Sequence, residues 1–191
     1  MQQGAFPQTR PMMTIQESVK TCIRKYADFS GRATRAEFWW WLLATTLTSL
    51  AISAVDSFVG AISNAYFYSP LSTIFALAVL LPDLAVTARR LHDTGKSGWW
   101  QLVWVVVAIL AVAPAVVGVV AGLAGLFSAG QDWDNWWANV SWLPIVAGII
   151  VTLLIWIGIF VWWLVWMVKQ GQSGPNHYGP DPRAWDDEAI A

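Results

Sequence analysis

The sequence predicts an all-α, polytopic membrane protein in which a short amphipathic helix precedes four transmembrane helices. Hydrophobic residues make up 57% of the 191 positions and charged residues only 12%, whereas a globular domain carries about 25% charged residues. The mean hydropathy is +0.50. Four stretches approach or exceed the length of about 20 apolar residues that a spanning helix needs. This composition excludes a disordered chain, a nucleic-acid-binding protein and an ordinary soluble enzyme.

The segment 1–38 precedes the first span, and its residues 14–27 are predicted to form the amphipathic helix. The side chains that form its apolar stripe are Ile15, Val19, Cys22, Ile23 and Tyr26. Thr14 and Glu17 have the spacing of a capping box. A basic amphipathic helix of this kind either lies in the membrane interface and attracts anionic lipid, or packs on the protein's own loops. Cys22 is read as a packing residue, with palmitoylation as the alternative.

The four membrane spans are predicted at about 39–59, 71–88, 99–127 and 142–168, and residues 169–191 form a tail. A second capping box, Thr34 with Glu37, is predicted to begin the first span. The last two spans lack charge and exceed the thickness of the hydrocarbon core, so they must tilt, kink or project. Pro114 and Pro144 are the predicted kink sites.

The basic residues predict that both termini are cytoplasmic. Of the eleven lysines and arginines, six precede the first span, three lie between the second and third spans, and two lie in the tail. The loops at about 60–70 and 128–141 hold none. Because Lys and Arg resist translocation, the side that carries them is expected to be the cytoplasmic side.

Tryptophan and tyrosine cluster near the predicted span ends, where an amphipathic ring is stable at headgroup depth. The inner group is Trp39, Trp40, Trp41, Trp99, Trp100, Trp162, Trp163 and Trp166. The outer group is Tyr66, Tyr68, Trp133, Trp136, Trp137 and Trp142. These rings are interpreted as interfacial belts rather than as a cofactor-stacking site.

Three motifs lie outside the apolar stretches. They are Phe29-Ser-Gly-Arg-Ala-Thr-Arg-Ala-Glu-Phe-Trp39, Ala88-Arg-Arg-Leu-His-Asp-Thr-Gly-Lys-Ser-Gly-Trp-Trp100 and the turn-rich Gly171-Gln-Ser-Gly-Pro-Asn-His-Tyr-Gly-Pro-Asp-Pro182. Together they resemble the bacterial inner-membrane family known as domain of unknown function 805, the YhaH-like proteins. The resemblance implies a small protein of the bacterial cytoplasmic (inner) membrane whose motifs face the cytoplasm. It implies no established activity and therefore no catalytic residues.

The first two motifs place arginines beside acids at the expected inner membrane face. The candidate site residues are Arg32, Arg35, Glu37, Arg89, Arg90, His92, Asp93 and Lys96. In one interpretation the arginines pair with the acids as structural clasps between the N-terminal segment and the loop after the second span. In the other they bind the phosphate of an anionic lipid headgroup. His92 beside Asp93 is interpreted as tied into a turn rather than as an acid/base pair.

A second set of polar residues lies within the spans. Its members are Thr45, Ser49, Ser53, Asp56 and Asp83. They form either a pathway for water or a small solute, or hydrogen bonds that hold helices together. Pro82 is expected to free the carbonyl of Ala78 from its helical hydrogen bond. The Gly118–Gly122 pair predicts close helix approach, within the chain or between two chains.

We find no catalytic or metal-binding motif in the sequence and predict no cofactor. The predicted function is a non-enzymatic binding or scaffold module whose inner face engages anionic lipid or a membrane partner. A small-solute transporter or channel subunit is the alternative. The expected partners are the lipid bilayer, in particular anionic phospholipid, and either a second copy or another membrane protein. Nucleic acid is not among them.

Overall fold

The computed structural model describes residues 13–63, 70–128 and 140–184, which form six helices. These are α1 (Ile15–Arg24), α2 (Arg35–Ser63), α3 (Pro70–Asp93), α4 (Trp100–Leu110), α5 (Ala113–Ser128) and α6 (Trp142–Val168). Four segments are long and apolar enough to cross a membrane: Arg35–Ser63, Pro70–Asp93, Trp100–Ala124 and Trp142–Val168. The predicted all-α fold with four spans and a preceding helix is confirmed.

The chain divides into two compact units. The first unit holds the described residues up to Gln101 and from Met167 onward, and the second holds residues 102–166. The predicted belt residues Tyr66, Tyr68, Trp133, Trp136 and Trp137 lie outside the described residues.

Helix α1 begins at the predicted capping box. The Glu17 amide donates to the Thr14 hydroxyl, and the Glu17 carboxylate accepts from the Thr14 amide at 2.8 Å. The helix ends at Arg24, three residues before the predicted end, because Lys25 leaves the helical conformation. The next residues turn the chain, and Gly31 adopts a φ of +77°, which glycine tolerates best.

Helices α2 and α3 form an antiparallel pair in the first unit. At one end the Asp56 carboxylate accepts from the Ser72 amide at 2.8 Å, and so caps the first turn of α3. Both helices run further than the predicted spans, since α2 begins at Arg35 and α3 ends at Asp93. The added turns contain charged residues, so the apolar pattern did not include them in the predicted spans. In the fold, the buried charges of these turns are paired.

The second capping box forms only in part. The Glu37 amide donates to the Thr34 hydroxyl at 3.0 Å, as predicted. The Glu37 carboxylate instead lies 3.1 Å from Arg89. A buried arginine is a stronger partner for a carboxylate than a backbone amide at a helix start.

The second unit is built on close approach of α5 and α6. A Cβ atom on Gly118 would collide with the backbone of Pro144, and one on Gly148 with the backbone of Pro114. The Gly118–Gly122 motif is therefore used within the chain. The Ala115 amide, which also donates to the Val112 carbonyl, donates to the Thr152 hydroxyl at 3.1 Å and so links the start of α5 to α6.

The two predicted kink sites behave differently. The helical path breaks between Leu110 and Ala113, immediately before Pro114, as predicted. Pro144 lies in the first turn of α6, where its missing N–H removes no helical hydrogen bond, and α6 continues to Val168. The expected kink at Pro144 is therefore wrong. Pro82 lies inside α3, which is helical on both sides of it.

Candidate functional site at the charged end of the first unit

The charged residues of the first two motifs come together at one end of the first unit, where α1, the start of α2, the end of α3 and the tail meet. The Arg–acid cluster consists of Arg32, Glu37, Arg89, Arg90 and Asp93. All five are buried, with at most 6% of any residue exposed. Isolated charges are costly to bury, so the cluster depends on internal pairing.

The first pair joins α2 to α3. Glu37 Oε1 lies 3.1 Å from Nη2 of Arg89, and both side chains are almost completely buried. The contact is an ion pair rather than a hydrogen bond, because neither Nη atom of Arg89 meets a hydrogen-bond acceptor within the described part of the chain. Arg89 Nε donates to the Ala85 carbonyl at 3.4 Å.

Helix α1 is fixed onto this pair by two small residues. The Ser18 hydroxyl donates to the Glu37 carbonyl at 2.6 Å. Cys22 Sγ lies 4.0 Å from Glu37 Oε1, and the residue is completely buried. Burial, together with the nearby Glu37 charge, raises the pKa of the Cys22 thiol to about 12. These contacts favour the packing interpretation of Cys22, since a protonated, inaccessible thiol is a poor nucleophile.

Asp93 binds two arginines at once. Its Oδ1 accepts from Nε and Nη2 of Arg32 at 3.0 and 2.8 Å. Its Oδ2 accepts from Nη1 of Arg90 at 2.5 Å. Each carboxylate oxygen therefore has its own guanidinium, and the N-terminal segment is joined to the end of α3.

The remaining donors of these two arginines bind backbone carbonyls at the end of the last span and in the tail. Arg90 Nε and Nη2 both donate to the Met167 carbonyl at 3.1 Å, and Nη2 also donates to Lys169. Arg32 Nη1 donates to the Gly174 carbonyl at 2.6 Å. The last carbonyls of a helix lack intrahelical partners and carry partial negative charge, which suits a cation.

Gly171 allows the tail to pass directly over Asp93. A Cβ atom at this position would collide with both carboxylate oxygens of Asp93. The next residue, Gln172, donates its amide to the Asp93 carbonyl at 2.8 Å. The turn-rich third motif thus contributes backbone rather than side chains to the cluster.

His92 is held in the turn after α3. Its Nδ1 lies 3.1 Å from the Gly31 carbonyl, and its Nε2 accepts from the Gly98 amide at 3.3 Å. These partners assign the proton to Nδ1. The ring stacks on Tyr178 with 3.9 Å between centroids and 2° between planes. With both nitrogens and one ring face engaged, the contacts favour the predicted turn role.

The tail has an ion pair of its own between Asp181 and Arg183. Arg183 Nε donates to Asp181 Oδ1 at 2.9 Å, and the Gly174 amide donates to Oδ2 at 3.1 Å. Burial opposes the charged form of Asp181, but these hydrogen bonds outweigh it and lower the pKa of that carboxyl to about 2. The Asp181 charge therefore persists across the physiological pH range.

The remaining site candidates, Arg35 and Lys96, are more exposed than the residues of the cluster. Arg35 is exposed, and its Nη1 donates to the Val168 carbonyl at a long 3.4 Å. Lys96 is half-buried in the turn after α3, where its amide donates to the Leu91 carbonyl at 2.9 Å. Sequence reasoning missed the roles of Ser18, Gln172 and Gly174, because two of these three act through backbone atoms.

The polar residues of the spans make hydrogen bonds inside the first unit. Asp83 accepts from the Trp41 indole at 2.6 Å. The Thr45 hydroxyl donates to carbonyls of its own helix at 3.1 Å. Ser53 lies 3.4 Å from Ser72 across the two helices. Ser49 is half-buried on the same helix.

The carbonyl that Pro82 frees has a partner. The Tyr26 hydroxyl, beyond the end of α1, donates to the Ala78 carbonyl. The predicted loss of a helical hydrogen bond at Pro82 is thus compensated by a bond from the N-terminal segment. This bond also fixes the end of α1 against the middle of α3.

One side of α1 remains uncovered in the isolated chain. We define the basic edge of α1 as Lys20, Ile23 and Arg24, all of which are exposed, with Ile23 59% exposed. The buried side chains of α1 are Ser18 and Cys22. The predicted apolar stripe is therefore divided, since Cys22 packs on the protein and Ile23 does not.

Long apolar helices whose charges are paired and buried at one end define a multi-span integral membrane protein. Residues 26–180 match the family "Protein of unknown function (DUF805)", and the chain belongs to this family. The predicted family membership is confirmed.

Three relatives of this chain come from Escherichia coli strain K12, and the names of two of them, YhaH and YhaI, place those two proteins in the inner membrane. Inner membrane protein YhaH is 34% identical over 110 residues, covering 58% of this chain and 90% of the relative. Inner membrane protein YhaI is 34% identical over 161 residues, covering 84% and 91%. The uncharacterized protein YiiR is 30% identical over 155 residues, covering 81% and 85%. No solved structure matches this chain.

Proposed function

We propose that this protein is a non-enzymatic binding module of the bacterial inner membrane, in which the Arg–acid cluster fixes α1 at the cytoplasmic face so that its basic edge engages anionic lipid. The observation that carries the proposal is the divided surface of α1. Ser18 and Cys22 are buried against Glu37, while Lys20, Ile23 and Arg24 are exposed. A helix with adjacent apolar and basic exposed residues suits the headgroup boundary of an anionic membrane.

The Arg–acid cluster acts in this proposal as the clasp. Arg32, Arg89 and Arg90 are at most 6% exposed. Each of them lies 2.5–3.1 Å from a carboxylate oxygen of Glu37 or Asp93, and Arg32 and Arg90, which share Asp93, also donate to backbone carbonyls. A lipid phosphate would have to displace these carboxylates and expose the guanidinium groups. The geometry therefore supports the clasp over the phosphate site for these three arginines.

The cytoplasmic orientation rests on the distribution of basic residues. Contacts from Arg32 to Gly174, from His92 to Gly31 and from Gln172 to Asp93 bring three basic segments to one end of the first unit. These segments are the one before α2, the turn after α3 and the tail. A single end that collects the positive charge is expected on the cytoplasmic side.

The transporter alternative receives less support from the contacts. Asp83, Thr45 and Asp56 each use their polar atoms in hydrogen bonds with a neighbouring helix or their own helix. Such bonds are typical of polar residues that hold membrane helices together.

Native mass spectrometry of protein released from nanodiscs of mixed phosphatidylglycerol and phosphatidylcholine tests the proposal. Wild type should retain phosphatidylglycerol in preference to phosphatidylcholine. Arg24→Gln should weaken this retention about fivefold, because each basic residue near the surface contributes about 1 kcal/mol, and adding Lys20→Gln should weaken it further. Lys169→Gln removes one exposed charge outside α1 and is the matched control. Equal retention of the two lipids by wild type, or equal losses in Arg24→Gln and Lys169→Gln, would contradict the proposal.

A further inference from the structure

A cavity of about 210 Å³ lies between α1, the segment after it, α2 and α3. Its walls include Val19, Ile23 and Tyr26 from the N-terminal segment, Trp41 and Ala44 from α2, and Pro82 from α3. The cavity is open, because the lining residues Ile23, Tyr26, Thr48 and Ala78 are exposed in the isolated chain. Its volume is below the 300–1,000 Å³ that is typical of sites for drug-sized ligands.

The polar side chains that line this cavity are already engaged with protein atoms. The Tyr26 hydroxyl donates to the Ala78 carbonyl, and the Trp41 indole donates to Asp83. The hydroxyls of Thr45 and Thr48 donate to carbonyls of α2 at 2.8–3.1 Å. The donors of all four are thus occupied, and the surface left to an occupant is apolar. This chemistry suits a hydrocarbon chain and not a polar solute.

The charge beside the cavity indicates what the hydrocarbon chain is attached to. Val19 and Ile23 line the cavity, and the next residues in the helix, Lys20 and Arg24, are exposed. On a helix, consecutive residues are turned by about 100°. Lys20 is therefore turned by about 60° from Ile23 and borders the apolar lining, whereas Arg24 is turned by about 100° from Ile23 and lies one step further around α1. An occupant with an apolar tail and an anionic head satisfies both surfaces.

We propose that this open cavity holds a segment of one acyl chain of an anionic phospholipid whose headgroup lies at Lys20 and Arg24. This inference rests on the proposed function and specifies its site. The bound lipid continues the contact between α1 and the α2–α3 pair on the side where Ile23 and Tyr26 are uncovered. It differs from general bilayer lipid in having a fixed position beneath α1.

Photo-crosslinking with phosphatidylglycerol that carries a diazirine in one acyl chain tests this site in proteoliposomes. Labelled peptides are mapped by mass spectrometry. We expect label on peptides containing residues 19–26, 41–48 and 75–82, at severalfold higher yield than phosphatidylcholine with the same labelled chain. Ala44→Phe fills the cavity and should abolish this labelling. Ala51→Phe adds the same ring to an exposed position of α2 outside the cavity and is the control.

The outcomes separate this inference from the proposed function. Label spread evenly over the spans, or unchanged in Ala44→Phe, overturns the cavity site, and selective retention in native mass spectrometry would then still support the proposed function. Strong cavity labelling by both lipids alike overturns the anionic assignment and the proposed function together. Absent labelling in a chain that native mass spectrometry finds as a dimer makes a second copy the occupant and overturns the inference. Because wild-type labelling is informative alone, a poorly folded Ala44→Phe variant leaves the test intact.

Discussion

The charged end of the first unit and the α5–α6 pair of the second unit hold two helices together by different means. In the first unit, α2 and α3 are joined by Glu37–Arg89 and by the Trp41–Asp83 hydrogen bond. In the second unit, Gly118 and Gly148 let two helix backbones approach closely. One contact is built from long charged side chains and the other from the absence of side chains.

The difference follows from the surroundings of each contact. Helices in lipid gain little from apolar contact with each other, so they associate through close packing or through polar bonds. Arg89 and Glu37 lie near helix ends, where Glu37 contacts Ser18 and Cys22 of α1. The charged contact therefore also orders segments outside the spans, whereas the glycine contact orders only the helices. Both contacts hold helices together, and the charged contact also holds α1, on which the proposed lipid binding depends.

The largest loss of stability is expected from removing Asp93, the carboxylate that Arg32 and Arg90 share. Asp93→Ala leaves Arg32 and Arg90 buried without their carboxylate, which should lower the free energy of unfolding by about 3–5 kcal/mol. SDS titration of the purified protein in mixed micelles measures this change. Asp181→Ala removes a carboxylate from the more exposed pair with Arg183 and should cost less, about 1–3 kcal/mol, because only one arginine is left without its partner. Equal losses in the two variants would contradict the special role of the buried cluster.

A smaller effect is expected at the helix contact of the second unit. Gly118→Ala places a Cβ against the backbone of Pro144 and should cost about 1–3 kcal/mol through overpacking. Gly158→Ala is the matched control on α6, because nothing lies within 4 Å of its added Cβ. The control should be neutral or stabilising, since alanine favours a helix over glycine. The same SDS titration applies, and a neutral Gly118→Ala variant would show that close approach is dispensable.

A modest effect is expected where α1 meets the proline in α3. Tyr26→Phe removes the donor to the Ala78 carbonyl and should cost about 0.5–1.5 kcal/mol. Tyr178→Phe leaves the stacked contact with His92 in place and should cost less. Hydrogen exchange of α1 amides should rise in Tyr26→Phe but not in Tyr178→Phe. Unchanged exchange in both would show that this bond does not fix α1.

The smallest response is expected when cysteines at the predicted polar pathway are treated with an aqueous thiol reagent. In wild type, buried Cys22 should not react with a small aqueous thiol reagent, because its pKa is raised to about 12. Cysteines that replace Ser49 and Ser53 should also be inert if these positions pack against helix or lipid. Ser173→Cys in the exposed tail supplies a reactive control. Reaction at both 49 and 53 would favour the transporter alternative over the packing role.

The sequence predicted the helices well because each carries a local signal. The apolar stretches, the Thr14–Glu17 box and the break before Pro114 depend on neighbours in the chain. The helix ends were less well predicted, since buried charges such as Glu37 and Asp93 are stable there only because arginines pair with them. Pro144 was misjudged because its effect depends on where α6 begins.

From the sequence, the partners of the arginines could be predicted only as two alternatives, the carboxylates of the protein or a lipid phosphate. Arg89 and Arg90 are adjacent, but neighbouring helix positions face about 100° apart. Arg89 therefore meets Glu37 on α2, whereas Arg90 meets Asp93 and the end of α6. The tail contacts were beyond sequence reasoning, because carbonyls such as those of Met167 and Gly174 are the same in every residue type.

The central claim is that the buried arginines are internal clasps, and a double-mutant cycle on Glu37 and Arg89 tests it most directly. The free energy of unfolding is measured for wild type, Glu37→Ala, Arg89→Ala and the double variant. We expect each single variant to be strongly destabilised. The double variant should lose far less free energy of unfolding than the sum of the two single losses, with a coupling energy of about 1–3 kcal/mol. Additive losses, with coupling near zero, would contradict the clasp and return Arg89 to the set of candidate phosphate ligands.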